Sequence, residues 1–246
     1  MPVLNKITEA QKNQMLKMAQ TWFVDTIAKK HLQNAKKLVN PAEFNINPFL
    51  TSYLARFLTG NNDPESIARV LVYPRTLGTS ISTSFGQNMQ SFISSMRDIL
   101  AEGSIVSGMD IEFIDQLDGH RKFCQLKAGP QTINNDDVET IDRAFTRVKN
   151  LSRTNNLRIP NDDLVIGILY GTPEKLSANY RRLRDVHHYN IYIGQEFWHR
   201  LTGEKDFYDQ LIEAIDEASK EINAKSELEY IVKILAETEE IKSISK

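Results

Sequence analysis

Two runs of alternating residues, Gly108 to Ile114 and Lys122 to Lys127, flank an Asp118-Gly119 pair. Asp-Gly between alternating runs is a strong signal for a β-hairpin, because the turn needs backbone conformations that these residues adopt readily. Successive side chains of a strand point to opposite faces, so the pairing fixes which residues can meet. Asp110, Glu112 and Ile114 share one face of the first strand, with Ile111 and Phe113 on the other. On the second strand Phe123, Gln125 and Lys127 share a face, with Cys124 and Leu126 opposite. Two carboxylates and a lysine can therefore converge on one face. The lysine is followed at once by Ala128-Gly129-Pro130, where the strand ends and the backbone opens.

The flanking sequence is mostly helical in period. Residues 8–38 read as helix, with Leu16, Ala19, Trp22, Phe23 and Ile27 at helical spacing, and Asn40-Pro41 ends it. Asn47-Pro48 opens a short helix carrying Phe49, Tyr53, Leu54, Phe57 and Leu58, which Gly60 closes. Asp63-Pro64-Glu65 caps another, through about Val72. Thr83 or Ser84 starts the next, running to Leu100. After the hairpin a helix spans about Asp136–Leu151. Leu164 to Tyr170 is an unbroken apolar run ending in Gly171, the pattern of a strand covered on both faces. Ile191 to Ile193 suits a short last strand. Helices at about Glu196–Leu201, Asp206–Ala224 and Glu227–Glu240 close the chain. The expected fold class is α/β, a mixed sheet flanked by helices, with helical N-terminal and C-terminal extensions. The 246 residues suit one domain, or one domain with a helical annex. They divide into a helical region 1–80, an α/β core 81–195 and a helical tail 196–246.

Composition narrows the class. A single cysteine, Cys124, excludes a disulfide framework and cysteine-rich zinc sites, and it fits a reducing cytoplasm. Cys124 itself reads as a small core residue. No apolar run approaches the ~18 residues of a membrane span, and Met-Pro-Val-Leu-Asn-Lys does not read as a signal peptide. Net charge is −2, but it is uneven. Asp206 to Lys246 carries 11 acidic and 5 basic residues, and the rest carries 25 basic and 21 acidic. A local basic cleft is all that phosphate binding requires. Phosphate loops of the Gly-x-x-x-x-Gly-Lys-Ser/Thr type, dinucleotide fingerprints and nucleophile elbows are absent.

Carboxylates beside a lysine suit phosphodiester hydrolysis. A carboxylate is a ligand for Mg2+, a hard cation that prefers oxygen, and such a cation polarises phosphate and acidifies bound water. A neighbouring lysine can position that water and offset charge in the transition state. Gly108-Met-Asp-Ile-Glu-Phe113, followed by Gln125-Leu-Lys-Ala-Gly-Pro130 and Asn134, resembles the active-site region of PD-(D/E)XK type II restriction endonucleases, and within them the group cutting interrupted GG…CC sites. Asn45-Ile-Asn-Pro-Phe49, Val165 to Gly171 with Tyr180-Arg-Arg-Leu-Arg184, and Gly194-Gln-Glu-Phe-Trp198 with Phe207-Tyr208 are similar to that group as well. The resemblance implies a metal-binding Asp110, a catalytic Lys127 and a Mg2+ shell completed by Gln125 and the Leu126 carbonyl. It implies double-stranded DNA as partner and a prokaryotic cytoplasm as location. It also implies a homodimer, since palindromic sites match protein two-fold symmetry. Gln125 stands where the family usually has Glu or Asp, and Gln90 where the preceding helix often adds an acid. Glu112 is the candidate for supplying the missing charge.

Several readings stay open at this level. Alternation alone favours Asp110 and Glu112 as the solvent face of an edge hairpin, and the neighbouring Gln125-Leu-Lys-Ala-Gly-Pro130 with the wider resemblance reverses that preference. Arg181, Arg182 and Arg184 form the densest basic cluster, as phosphate contacts or as a solvated helix end. Gln131, Asn134 and Asn135 follow the lysine closely enough to approach DNA. Arg143, Arg147 and Lys149 line the DNA or are merely exposed. His187-His188 makes a poor metal site, because adjacent residues rarely aim at one ion. Trp22 and Trp198 read as core. A repair or branched-DNA nuclease, and a non-catalytic DNA-binding relative, are the alternatives to a restriction enzyme.

Overall fold

The computed structural model describes residues 7–96, 99, 101–103, 108–154, 159–222 and 224–245. In chain order the elements are α1 (Glu9–Trp22), α2 (Lys29–Lys36), α3 (Pro48–Thr59), α4 (Pro64–Leu77), α5 (Thr79–Ser95), β1 (Ala101–Gly103), β2 (Ile111–Ile114), β3 (Arg121–Lys127), α6 (Asn135–Thr154), β4 (Leu164–Ile168), α7 (Ala178–Asp185), β5 (Asn190–Ile193), α8 (Gln195–Thr202), α9 (Phe207–Lys220), α10 (Ala224–Ala236) and α11 (Glu239–Ile244). They form two compact units, each discontinuous in sequence. One comprises Met1–Ala19 and Gly86–Ala214, the other Gln20–Phe85 and Ile215–Lys246.

The first unit is built on a mixed five-stranded sheet in the order β1-β2-β3-β4-β5. The hairpin read from the sequence is present: β2 and β3 pair antiparallel, Ile111 opposite Cys124 and Ile114 opposite Arg121. Gly119 takes the left-handed conformation at its turn, with φ of 76°. β4 then runs parallel to β3, and β5 parallel to β4. Every residue of β4 is buried, as its unbroken apolar run requires. Leu164, Ile166 and Ile168 pack beneath α6 and α7, against Val138, Ile141, Phe145, Tyr180 and Leu183. On the opposite face Gly167 lies under the Phe197 ring of α8 and beside Cys124. Phe113 meets that ring edge-on. The sheet is thus covered on both faces, and the α/β fold expected from the sequence is the one observed.

The second unit is helical. α4 lies at its centre, with α3, α10 and α11 packed on it. Its core includes Ala55, Ile67, Val72, Ile231, Leu235 and Ile241. Arg69 of α4 donates two hydrogen bonds, of 3.0 and 2.8 Å, to Glu229 of α10, the bidentate geometry that suits guanidinium and carboxylate. N-terminal and C-terminal helices therefore share one core.

Some boundaries differ from those expected. α4 runs five residues past Val72, through Pro74. The proline removes one intrahelical donor, yet Val72 and Thr76 on either side are buried and the Thr76 hydroxyl donates back to the Val72 carbonyl. α5 begins at Thr79 rather than Thr83, and its expected end, Leu100, lies outside the described residues. The single helix expected over Glu227–Glu240 is two, because Thr238 is extended (ψ 144°) between α10 and α11. Trp198 is core, as expected, and donates to the Leu169 carbonyl at 2.9 Å.

Gly167 is the tightest point of the sheet. A Cβ there would lie 2.5 Å from Phe197 and 2.9 Å from the Cys124 sulfur, and both side chains are fully buried. Gly167→Val should lower stability by about 1–3 kcal/mol, the range for overpacking a core. A reduced urea midpoint with unchanged m would show it.

Candidate active site

The first unit brings Asp110, Gln125, Leu126 and Lys127 together at the carboxyl end of β3. Asp110 precedes β2. Its N–H donates to the Cys124 carbonyl at 2.9 Å, although Cys124 is the register partner of Ile111. Two successive residues thus face one, the arrangement of a β-bulge, which re-aims a side chain. The Asp110 side chain lies against the neighbouring strand, where Oδ2 accepts the Leu126 N–H at 2.7 Å. In an extended strand a residue's N–H and C=O point the same way, so the Leu126 carbonyl looks toward Asp110 as well. Burial pushes the Asp110 carboxyl above the ordinary carboxylate range, against the downward pull of the Leu126 N–H and the Lys127 charge. The Lys127 ammonium makes no salt bridge among the described residues, and its charge acts on Asp110.

Gln125 is nearly buried, and its Nε2 donates to the Gly108 carbonyl at 2.6 Å. That carbonyl can only accept, so the bond assigns the amide nitrogen to it and leaves Oε1 for another partner. Gly108 has φ of 95°, and a Cβ there would crowd Ala144 of α6 at 3.1 Å. Gln90 of α5 approaches the same place, with Nε2 3.5 Å from the Asp110 carbonyl. Glu112 is buried and its Oε2 accepts from Arg121 at 3.0 Å, one register pair nearer the turn.

The donors available to a divalent cation are therefore the Asp110 carboxylate, the Gln125 amide oxygen and the Leu126 carbonyl. All are oxygens, which suits a hard cation, and they carry one formal negative charge. Among the described residues no three His, Cys, Asp or Glu side chains gather to hold a metal ion. The histidine pair is not such a site: His187 shares a hydrogen bond with Asp142 at 2.9 Å and stacks on Tyr189, while His188 is exposed. Cys124 is wholly buried, and burial pushes its thiol well above the usual range.

Beyond Lys127 the chain is held closely. The Gly129 carbonyl accepts from Thr132 at 2.9 Å and from the buried Tyr180 hydroxyl at 3.1 Å. A Cβ on Gly129 would lie 2.4 Å from the Tyr170 ring. Sequence reasoning missed this lock. Its only local signals were the glycine after Lys-Ala and the tyrosine ending the β4 run.

The six residues singled out for DNA contact fall in different settings. Gln131 is exposed. Asn134 caps α6: its Oδ1 accepts the Asp137 N–H at 2.9 Å, and Asp137 accepts the Asn134 N–H at 2.8 Å. Asn135 accepts from Arg182 at 3.1 Å, joining α6 to α7. Arg181 donates to the Leu176 carbonyl, and exposed Arg184 pairs with its neighbour Asp185. Arg143 bonds within its own helix, and Lys149 lies over the Tyr189 ring.

A family model described as type II restriction endonuclease EcoO109I matches residues 47–223, a span that takes in the hairpin, β4, β5 and α7. A search of curated proteins gave no match. Among the described residues no helix is long and apolar enough to cross a membrane.

The reciprocal bonds of Asn134 and Asp137 make a capping pair, whose loss costs about 1 kcal/mol. Asn134→Ala should lower the urea stability by that amount, while Asn134→Asp, which keeps the acceptor, should retain it.

Proposed function

Since the chain belongs to the type II restriction endonuclease EcoO109I family, and so is a nuclease that hydrolyses DNA, we propose that the Asp110–Lys127 constellation is its catalytic centre. One observation carries this reading: the Leu126 N–H holds the Asp110 carboxylate at the end of β3, next to the lysine whose charge it feels. Members of such families typically need a divalent metal, and Mg2+ is the ion proposed here. Asp110, the Gln125 oxygen and the Leu126 carbonyl would hold it, where it would supply Lewis-acid activation of phosphate and water. The Gly108 bond orients Gln125. The Arg121 ion pair of Glu112 favours Gln125 over Glu112 as second ligand. Lys127, with no carboxylate paired to it, orients the attacking water and offsets charge building on the phosphate.

The proposed substrate is a short, interrupted, GC-rich palindrome in double-stranded DNA. The proposed setting is a restriction–modification system in a prokaryotic cytoplasm. Gln131, which is exposed, and Arg182, which holds Asn135, are the proposed DNA contacts. Arg181, Arg184 and the capping Asn134, like the Arg182–Asn135 pair, are bonded within the protein and would have to exchange partners to serve.

A homodimer is proposed as the working form, and α3 favours it. Thr51 and Ala55 are its buried side chains. The large apolar ones face outward: Phe49 is 88% exposed, Phe57 78% and Tyr53 61%, with Leu50, Leu54 and Leu58 beside them. Contiguous exposed apolar surface of this kind marks an interaction site. A second copy suits it, because an isologous contact buries one such patch against its equal.

Two measurements test these readings. Unmethylated plasmid incubated with Mg2+ should give discrete fragments, whose sequenced ends define the site. EDTA and Asp110→Ala should abolish them, and Lys127→Met should leave specific binding without cutting. Undiminished cleavage by Lys127→Met would remove the lysine from the mechanism. In light scattering, wild type should be a dimer and Phe57→Asp a folded monomer with weakened double-strand cleavage. A wild-type monomer active on both strands would refute the role given to α3.

A further inference from the structure

We propose that Tyr170 is a DNA-contacting residue of this centre, donating its phenolic hydroxyl to a phosphate adjacent to the one cleaved. The inference rests on the catalytic reading of Lys127 above and extends it to a residue on another strand. β3 and β4 are parallel and end at the same edge of the sheet, with Lys127 opposite Ile168. Ligands of open α/β sheets bind at the carboxyl ends of the strands. Tyr170 lies two residues past Ile168, at that edge.

Its backbone is fixed on both sides. Leu169 donates its N–H to the Lys127 carbonyl at 3.1 Å and accepts from Trp198 Nε1 at 2.9 Å. Gly171, at φ of 107°, packs against the Pro130 ring. The Tyr170 ring lies over Cα of Gly129, where a Cβ would be 2.4 Å from both Cζ and the hydroxyl oxygen. Gly129 is in turn held through its carbonyl by Thr132 and Tyr180. A tyrosine so placed is a rigid donor, which loses little freedom when it binds.

The hydroxyl has no hydrogen-bond partner among the described residues, and the side chain is 46% exposed. A phenol used only for packing could bury its ring and leave its oxygen in water. This one is seated two residues from the proposed catalytic lysine, at the edge DNA must approach. Tyrosine hydroxyls commonly bond phosphate oxygens, and such contacts fix register without reading sequence.

The test is Tyr170→Phe, which keeps the ring on Gly129 and removes only the oxygen. Binding is measured by fluorescence anisotropy in EDTA, on several short duplexes of different sequence and across a salt series. Urea melts and plasmid cleavage are measured alongside. The expected result is a drop in affinity of about three- to tenfold on every duplex, with unaltered urea midpoint. The salt slope should not change, because a neutral donor releases no counterion. kcat/KM should fall by a similar factor.

Binding and cleavage equal to wild type would overturn the proposal while leaving the nuclease reading intact. A loss confined to one duplex would overturn the phosphate assignment and make Tyr170 a base reader. Wild-type protein that neither binds nor cuts DNA would overturn both readings together.

Discussion

β3 is the strand on which the first unit depends, because among the described residues it is the one place where two kinds of pairing meet. On one side it runs antiparallel to β2, on the other parallel to β4. The antiparallel side brings Asp110 to Leu126. The parallel side brings Leu169 to Lys127, and with it the Tyr170 ring to Gly129. A one-residue slip would turn every side chain of β3 to the other face, exchanging Gln125 and Lys127 for Cys124 and Leu126. Two side-chain bonds oppose that slip at the functional end: Asp110 to the Leu126 N–H, and Gln125 to the Gly108 carbonyl. The residues proposed for chemistry are thus also the pins of the register.

The charge at this place is sparse for its task. Asp110 is partly buried, with its carboxyl pushed up by desolvation, and no basic side chain forms a salt bridge with it among the described residues. Gln125 adds an oxygen and no charge. Glu112, which could have added charge, has Arg121 as its counter-ion. On the catalytic reading, a cation drawn here meets one protein carboxylate, and Mg2+ is commonly held by one or two carboxylates together with substrate phosphates. The DNA phosphate then becomes the second anion. Metal and DNA would strengthen each other's binding, as linkage demands of ligands that share a site. The neutral Gln125 and the neutral Tyr170 fit one scheme, in which the negative charge comes mostly with the substrate.

What the sequence disclosed follows from how local each signal was. The hairpin was legible because Asp118-Gly119 and the alternation around it are contained within twenty residues. β4 was legible from its unbroken apolar run, and α3 from Asn47, whose side chain accepts the Phe49 and Leu50 N–H groups. β1 has three residues, too few for a period to be seen. The α3 stripe was read correctly as a stripe, but periodicity does not say which way a stripe faces, and Thr51 and Ala55 turned inward instead. At the candidate site, Asp110, Gln125 and Lys127 were singled out from alternation and resemblance, and they lie together at the end of β3. The Gln125–Gly108 bond, the Gly129 lock and Tyr170 were not, because each joins residues far apart in sequence through a glycine with no side chain to leave a pattern.

The two units make different physical demands, and these point to a division of labour. The sheet unit fixes side chains on strand ends that are hydrogen-bonded on both sides, the rigidity a reacting centre needs. The helical unit has an adequate core around α4, yet α3 leaves its largest apolar side chains in water. Among the described residues there is one Asp110–Lys127 constellation, and on the catalytic reading one constellation acts on one phosphodiester at a time. Cutting both strands of the proposed palindrome would then require either release and rebinding in the opposite orientation or a second constellation related to the first by the symmetry of the DNA. In the proposed homodimer, an apolar face meeting its own copy would provide the second without any further sequence. It would also tie the spacing of the two cuts to protein geometry rather than to chance encounters.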